Sequence, residues 1–264
     1  NENGVPQFFS AWKSKLMVQI SQFQWQARPE APTIVFDALQ PAVRFTKEEC
    51  LDLPPMVYVK RRVPLTRQQI KYYELLKKQL VMKIRGSEIT GANAAIVMNK
   101  LLQISAGAVY SDDGSTLVFD IDHRYKVLKE VVDESSQKIL IFVPFKHAID
   151  VLTAKLRADG VTTEVIRGDV SASKRTDIFK QFQTTPNPRV LVIQPQSAAH
   201  GVTLTAANTV VWWGPTSSLE TYLQANARVH RSGQTHKCTV VQLHGSAVEK
   251  RMYSLLDKRI NVHS

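Results

Sequence analysis

A short run near the C-terminal end of the chain places two arginines and a glutamine at helical spacing. Read as one helix, the run predicts Gln224, Arg228 and Arg231 on a single face, at positions i, i+4 and i+7. The opposite face carries Tyr222 and Val229, which can pack inward. A guanidinium is planar and permanently charged, so two of them one turn apart suit phosphate oxygens. A merely solvated basic face is the alternative, and the flanking residues decide between the two.

Those flanking residues resemble a known motif. Gln224, Arg228, Arg231, Gly233 and Gln234 match Gln-x-x-x-Arg-x-x-Arg-x-Gly-Gln, the last motif of superfamily-two helicases of the Swi/Snf type. Further segments resemble the same family in the family's order: residues 51–55 with 65–72, 138–145, 167–182 and 197–210. Each match is weak alone, but five in the right order make a specific signal.

Three features depart from the family's usual pattern. Ala198 and Ala199 stand where the family has paired glycines, and Thr203 stands where it has asparagine. Residues 212–215 are shorter than the usual Asp-x-x-Trp-Asn-Pro stretch. These departures favour a phage-like or bacterial-like branch over the eukaryotic remodellers.

Strand and helix patterns alternate from residue 124 onward. Almost continuous apolar runs such as Val190–Ile193 are typical of parallel strands buried on both faces. Helices are predicted at 65–85, 92–104, 124–134, 146–158, 173–182, 219–230 and 247–260, and strands at 139–143, 163–166, 189–193, 209–213 and 238–243. This alternation predicts a doubly wound α/β sheet.

The resemblance implies a RecA-like second motor lobe, preceded by a mostly helical insertion. It divides the chain into residues 1–64 (the tail of lobe one and the inter-lobe linker), 65–110 (the helical insertion) and 111–264 (the second lobe). Pro54 and Pro55 exclude helix from the linker, which is expected to be extended up to about residue 63. Because the chain begins at Asn1, in the middle of a pattern, we expect a piece of a longer protein.

By the same resemblance, several residues face ATP. Arg231 would stabilise charge on the γ-phosphate as an arginine finger, with Arg228 as its partner or as a brace to the metal site of lobe one. Gln224 would order the helix or contact the nucleotide, and Gly201 would let the backbone approach it closely. The alternatives are an internal ion pair for Arg228, a surface amide for Gln224 and a tight turn at Gly201. ATP and Mg²⁺ are the expected cofactors of the complete two-lobe protein.

Double-stranded DNA is the expected partner. Lysine and arginine total 34 against 23 acids, so the net charge is 34 − 23 = +11, which favours a polyanion. The predicted contacts to the DNA backbone are Lys146, Arg167, Arg175, Thr203 and Thr205. For each of them an ordinary surface or turn role is the alternative.

Some signals do not occur in this sequence. It contains no Gly-x-x-x-x-Gly-Lys-Ser/Thr phosphate loop and no strand ending in an Asp-Glu pair. In the family both lie in the first motor lobe, so that lobe is the expected upstream partner and this chain alone is predicted not to hydrolyse ATP. The sequence also predicts no membrane span, no disulfide and no structural metal. An intracellular location is expected: cytoplasmic or nucleoid-associated, which is the host cytoplasm if the protein is phage-encoded, or nuclear if it is eukaryotic.

Two other functions compete with the motor lobe. The chain could be a non-catalytic nucleic-acid-binding or interaction module that retains the fold. An RNA helicase of the same superfamily is disfavoured, because Leu51–Pro55 and Ser232–Gln234 match the Swi/Snf pattern rather than the RNA-helicase pattern.

Overall fold

The computed structural model describes residues 8–40, 52–86, 91–110, 114–199 and 201–263. The chain divides into two compact units after Asp52. In the first unit, α1 (Phe9–Leu16) leads into the antiparallel strands β1 (Met17–Ser21) and β2 (Gln24–Ala27), and α2 (Ala31–Leu39) follows. The hairpin carries Trp25, over whose ring the ammonium of Lys13 lies 3.9 Å from the centroid.

The second unit contains a parallel sheet with helices on both faces. Its elements in chain order are β3 (Met56–Arg62), α3 (Arg67–Gly86), α4 (Gly91–Ala106), β4 (Ala108–Tyr110), β5 (Thr116–Val118), α5 (Asp122–Glu134), β6 (Lys138–Phe142), α6 (Lys146–Ala158), β7 (Thr163–Ile166), α7 (Ala172–Thr184), β8 (Val190–Ile193), a 3₁₀ turn (Pro195–Ala199), β9 (Ala207–Trp212), α8 (Leu219–Asn226), β10 (Cys238–His244) and α9 (Ala247–His263). The sheet order is β3-β10-β9-β6-β8-β7, and every neighbouring pair is parallel.

The core consists of two layers, because successive side chains of a strand point to opposite faces of the sheet. On one face, Ile139 and Ile141 pack with apolar residues of α5 and α6. On the other face, Leu140 and Phe142 pack with apolar residues of α7, α8 and α9. The predicted fold, a RecA-like doubly wound parallel sheet flanked by helices, is therefore confirmed.

Helix α3 begins with a capping box formed by Thr66 and Gln69. The Gln69 amide donates to Thr66 Oγ1 (3.3 Å), and the Thr66 amide donates back to Gln69 Oε1 (2.9 Å). The Gln69 side chain also donates to the carbonyl of Ile104 at 2.8 Å, which ties α3 to α4. Helix α6 and strand β7 have the predicted bounds at both ends.

The structure differs from two local predictions. The helix predicted to reach His230 ends at Asn226, because the carbonyls of Arg228 and Val229 accept hydrogen bonds from Leu204 and Gln234 rather than from a further helical turn. Residues 56–62, predicted as part of an extended linker, are extended but form edge strand β3, paired with β10. The predicted domain bounds at 64 and 110 remain predictions.

None of the helices in the described ranges combines the length and the hydrophobicity that crossing a membrane requires. Among the same residues, no three His, Cys, Asp or Glu side chains are grouped closely enough to hold a metal ion.

Candidate functional site

The two predicted arginines lie in the arginine loop, residues 227–234, which joins α8 to β10. Backbone bonds change here from the helical spacing, with Ala227 donating to Leu223, to the tighter spacing of Arg228 donating to Ala225 at 3.2 Å. Asn226, whose side-chain oxygen accepts the indole N–H of buried Trp212 at 3.0 Å, fixes the end of the helix. Gln224 on the helix and the two arginines beyond it therefore do not share one helical face.

A second loop, residues 201–206 and here named the threonine loop, is fastened to the arginine loop. The Leu204 amide donates to the Arg228 carbonyl at 2.9 Å. Arg231 Nη1 donates to the carbonyls of Gly201 (3.3 Å) and Val202 (3.4 Å). The structure thus brings together two motifs that are separated in sequence.

Gln234 is the centre of this junction. Its side chain is 5% exposed, and its Nε2 donates to the carbonyls of Val229 and Ala207, both at 2.9 Å, with Thr205 further away at 3.4 Å. Its Oε1 accepts the His236 amide at 2.9 Å. In the sequence, Gln234 stands out only as a match to the helicase motif. The signal that could have identified its role is a glutamine directly after the turn glycine, where a side chain can satisfy loop carbonyls.

We expect replacement of Gln234 by alanine to lower the free energy of unfolding by about 2 kcal/mol, since buried carbonyls lose their donor. Urea unfolding measures this difference. The matched control is Gln181→Ala on the exposed side of α7, for which we expect a change within about 0.5 kcal/mol. Equal, small effects of the two substitutions would contradict the central position of Gln234.

Arg228 is a buried cation without a carboxylate. Arg228 is buried, with 9% exposure, and none of the described residues forms a hydrogen bond with its Nε. No ion pair joins it to any acid in the described part of the chain. Burial lowers the pKa of the Arg228 guanidinium, and the nearby charge of Arg231 lowers it further. Two neighbouring cations, one of them desolvated, form a site that an anion would stabilise.

The other residues predicted to face nucleotide are exposed. Gln224 Nε2 donates to Glu220 Oε1 at 2.9 Å along the outer side of α8. Gly201 is exposed, and a Cβ added there would meet no atom of the described structure within 4 Å. Space beside Gly201 is therefore open toward solvent.

Thr203 and Thr205, both predicted to contact DNA, differ in their surroundings. Thr203 is exposed. Thr205 is half-buried, and its hydroxyl accepts a hydrogen bond from Gln183 Nε2 at 3.3 Å. Only Thr203 therefore presents its side chain freely to the outside.

The predicted basic contacts at the carboxyl ends of the strands also differ. Lys146, the first residue of α6, is exposed. Arg167, which follows β7, forms ion pairs with Asp150 (2.5 Å) and Asp169 (2.9 Å). Partial burial opposes the charged form of Arg167, but hydrogen bonds and charge from the two aspartates raise its pKa overall. Arg175 Nη2 donates to the Val170 carbonyl at 3.1 Å, so it braces the preceding turn.

An ion pair at the carboxyl end of β9 was not anticipated from the sequence. Arg124 and Glu249 are 4% and 0% exposed, and Arg124 Nη2 donates to Glu249 Oε2 at 2.9 Å. The second pair of atoms, Nη1 and Oε1, lies 2.8 Å apart. Arg124 also donates to the carbonyl of Trp213, and Glu249 accepts the Gly245 amide at 2.7 Å. The pair therefore joins α5, the end of β9 and the start of α9.

This chain resembles known proteins both in sequence and in fold. Residues 123–233 match the family model described as the helicase conserved C-terminal domain. The fold of the chain matches the Sulfolobus solfataricus SWI2/SNF2 ATPase core in complex with double-stranded DNA, with a TM-score of 0.62 and 24% identity over 97% of this chain and 55% of that chain. At this identity the likeness shows the fold.

Two curated relatives cover most of this chain. The CHD3-type chromatin-remodeling factor PICKLE of Arabidopsis thaliana is 25% identical over 235 residues, which are 82% of this chain and 17% of that protein. The uncharacterized ATP-dependent helicase MG018 of Mycoplasma genitalium is 23% identical over 248 residues, 90% of this chain and 24% of that protein. Together, the domain match over residues 123–233 and the likeness to these proteins support a helicase C-terminal lobe of the Swi2/Snf2 type. The chain spans a quarter or less of the length of these relatives.

Proposed function

We propose that this chain is the second motor lobe of a DNA-dependent ATPase that moves along double-stranded DNA. The observation that carries the proposal is the buried guanidinium of Arg228, with an unsatisfied Nε and a second cation, Arg231, beside it. Buried charges in proteins are ordinarily paired, so this arrangement is suited to an anion that arrives from outside the chain. A triphosphate fits that requirement, because its oxygens accept hydrogen bonds from planar guanidinium groups.

The division of work between the two arginines follows from their contacts. Arg231 is half-buried and uses Nη1 on two loop carbonyls, which leaves its other nitrogens able to meet a phosphate. Arg228 is more deeply buried and is held by its backbone carbonyl. We therefore propose that Arg231 stabilises the charge that develops on the γ-phosphate during transfer. Arg228 would contribute a fixed positive charge next to it.

Mg²⁺ is the other expected cofactor of such a motor, and it would supply charge neutralisation on the phosphates. The arginine and threonine loops offer cations, carbonyls and hydroxyls rather than clustered carboxylates. The metal-holding acids and the phosphate-binding loop must then come from the first motor lobe. We accordingly propose that hydrolysis requires both lobes and that the upstream lobe is the obligatory partner.

We propose that Lys146 is the main basic residue that contacts the DNA backbone. Its ammonium is exposed, whereas Arg167 already has two aspartates as partners and would have to exchange them for phosphate. Thr203 offers an exposed hydroxyl, while Thr205 and Arg175 hold the chain's own structure. Such backbone contacts position a protein on DNA without reading sequence.

The similar proteins support the general class of this proposal, a motor lobe that acts on DNA. One relative is named for chromatin remodelling, and a solved neighbour holds double-stranded DNA. A protein that moves along genomic DNA acts inside the cell, and in a eukaryote in its nucleus. The relatives come from a plant and a bacterium, so the phage-like or bacterial-like branch stays a prediction.

DNA-stimulated ATP hydrolysis by the complete natural chain tests the proposed function. We expect duplex DNA to raise turnover well above the DNA-free rate, and single-stranded RNA of equal length to leave it near that rate. Binding of duplex DNA without stimulated turnover would replace the motor with the non-catalytic binding module. Stimulation by RNA alone would point to an RNA helicase.

A further inference from the structure

His230 connects the arginine loop to a distant part of the chain. Its ring lies between Arg228 and Arg231 in sequence, and its Nε2 is 2.8 Å from the carbonyl oxygen of Pro54. A carbonyl oxygen can only accept, so Nε2 carries the proton and donates it. This bond spans 176 residues and joins the loop to the segment that leads into β3.

The segment, Pro54 and Pro55, continues into β3, and β3 is hydrogen-bonded to the sheet along its whole length. The Cys238 amide donates to the carbonyl of Pro55 at 3.0 Å, immediately beside the His230 bond. From Met56 to Arg62, β3 pairs with β10 in parallel register. At the far end, the Val63 amide donates to the His244 carbonyl at 2.8 Å. A displacement of this segment would therefore be transmitted to the residues that flank the arginine loop.

The segment is also stiff. Pro54 and Pro55 each fix φ near −65°, and the ring of Pro55 restricts Pro54 to extended conformations. The division between the two compact units of the chain falls just before it, after Asp52. The His230 hydrogen bond thus lies at the start of the second unit, where a displacement of the preceding chain would reach that unit first.

We propose that His230 is a positioning residue that makes the placement of Arg228 and Arg231 depend on the segment leading into β3. This inference rests on the proposed function, in which the two arginines must be brought to a phosphate. When the preceding part of the protein moves, the stiff segment shifts the Pro54 carbonyl, and His230 carries that shift into the arginine loop. The hydrogen bond therefore regulates the arginines without touching the nucleotide.

The experiment compares four forms of the complete natural chain: wild type, His230→Ala, His230→Gln and His236→Ala. We expect His230→Ala to lower kcat of DNA-stimulated ATP hydrolysis by about ten- to a hundredfold, because misplacing a catalytic group by about 1 Å can cost that much. KM for ATP should change far less, since the loss falls on the transition state. Glutamine also carries an N–H donor at the end of its side chain, so His230→Gln should restore most of the kcat.

His236→Ala is the matched control. His236 lies six residues further on, is exposed, and its ring contacts the neighbouring Thr235 hydroxyl at 3.2 Å. We expect its kcat and KM to match the wild type. Thermal unfolding of all four forms reports whether a loss of activity comes from a loss of structure.

Three results would overturn the inference. The first is a His230→Ala enzyme with kcat within about twofold of wild type. The second is an equal loss in His230→Ala and His230→Gln together with a lowered unfolding temperature, which would make the role purely structural. The third is a wild type without DNA-stimulated turnover, which removes the proposed function as well. A wild type that depends on Arg231 while His230→Ala keeps its kcat removes the positioning role alone.

Discussion

Replacement of Arg231 by alanine in the complete natural chain is expected to lower DNA-stimulated ATP hydrolysis by about a thousandfold or more. The guanidinium would be lost from the point where negative charge grows during phosphoryl transfer, and no other described cation stands beside Arg228 to replace it. Steady-state ATPase assays with saturating duplex DNA measure the effect. DNA affinity should change little, because Arg231 is assigned to the nucleotide.

Two further variants separate charge, geometry and folding. Arg231→Lys keeps the positive charge but loses the fork of donors, so we expect it to recover only part of the lost activity. Arg251→Ala removes an exposed arginine from α9 and should leave the rate unchanged. Arg231 contributes two long hydrogen bonds to exposed or half-buried carbonyls, so its loss should barely affect stability.

Undiminished turnover in Arg231→Ala would refute the finger assignment directly. If Arg228→Ala then abolished turnover, the two arginines would have exchanged roles. If neither variant lost activity while the wild type hydrolysed ATP, the anion that the buried Arg228 attracts would not be the nucleotide. The motor proposal would then need a different source of charge stabilisation.

Sequence reasoning was most successful where one periodic pattern determined an element. Helix α6 and strand β7 have the predicted ends because apolar periodicity, a turn and a strand-forming run agree there. The helix predicted through the arginine motif was wrong beyond Asn226. Continuous helical periodicity through His230 cannot show that the Arg228 and Val229 carbonyls accept bonds from Leu204 and Gln234.

The remaining features depend on contacts between distant residues. Strand β3 reads as a linker because its neighbour in the sheet, β10, lies far away in sequence. The sequence around Pro54 and around His230 does not indicate that these two residues form a hydrogen bond. The same is true of Arg124 and Glu249, which are 125 residues apart. Local propensity cannot predict such pairs, although they fix the positions of the loops around the candidate site.

Replacement of Glu249 by alanine is expected to lower the free energy of unfolding by about 3–5 kcal/mol, the cost of leaving a buried charge without its partner. The Arg124 guanidinium, 4% exposed, would remain among apolar residues with only the Trp213 carbonyl as an acceptor. The Gly245 and Ser246 amides would lose their carboxylate as well. Urea unfolding followed by tryptophan fluorescence suits this site, because Arg124 lies 5.6 Å from the Trp213 ring.

The exposed pair Lys60–Asp257 is the matched control. Its atoms are as close, at 2.7 Å, but both side chains reach solvent. Asp257→Ala should therefore cost less than about 1 kcal/mol, because water replaces a lost surface partner. If both substitutions cost the same small amount, water must already reach Arg124, and the pair would not be the clamp that joins α5, β9 and α9. A large loss confined to Glu249→Ala would instead show that the carboxyl end of β9 is held by charge as well as by packing.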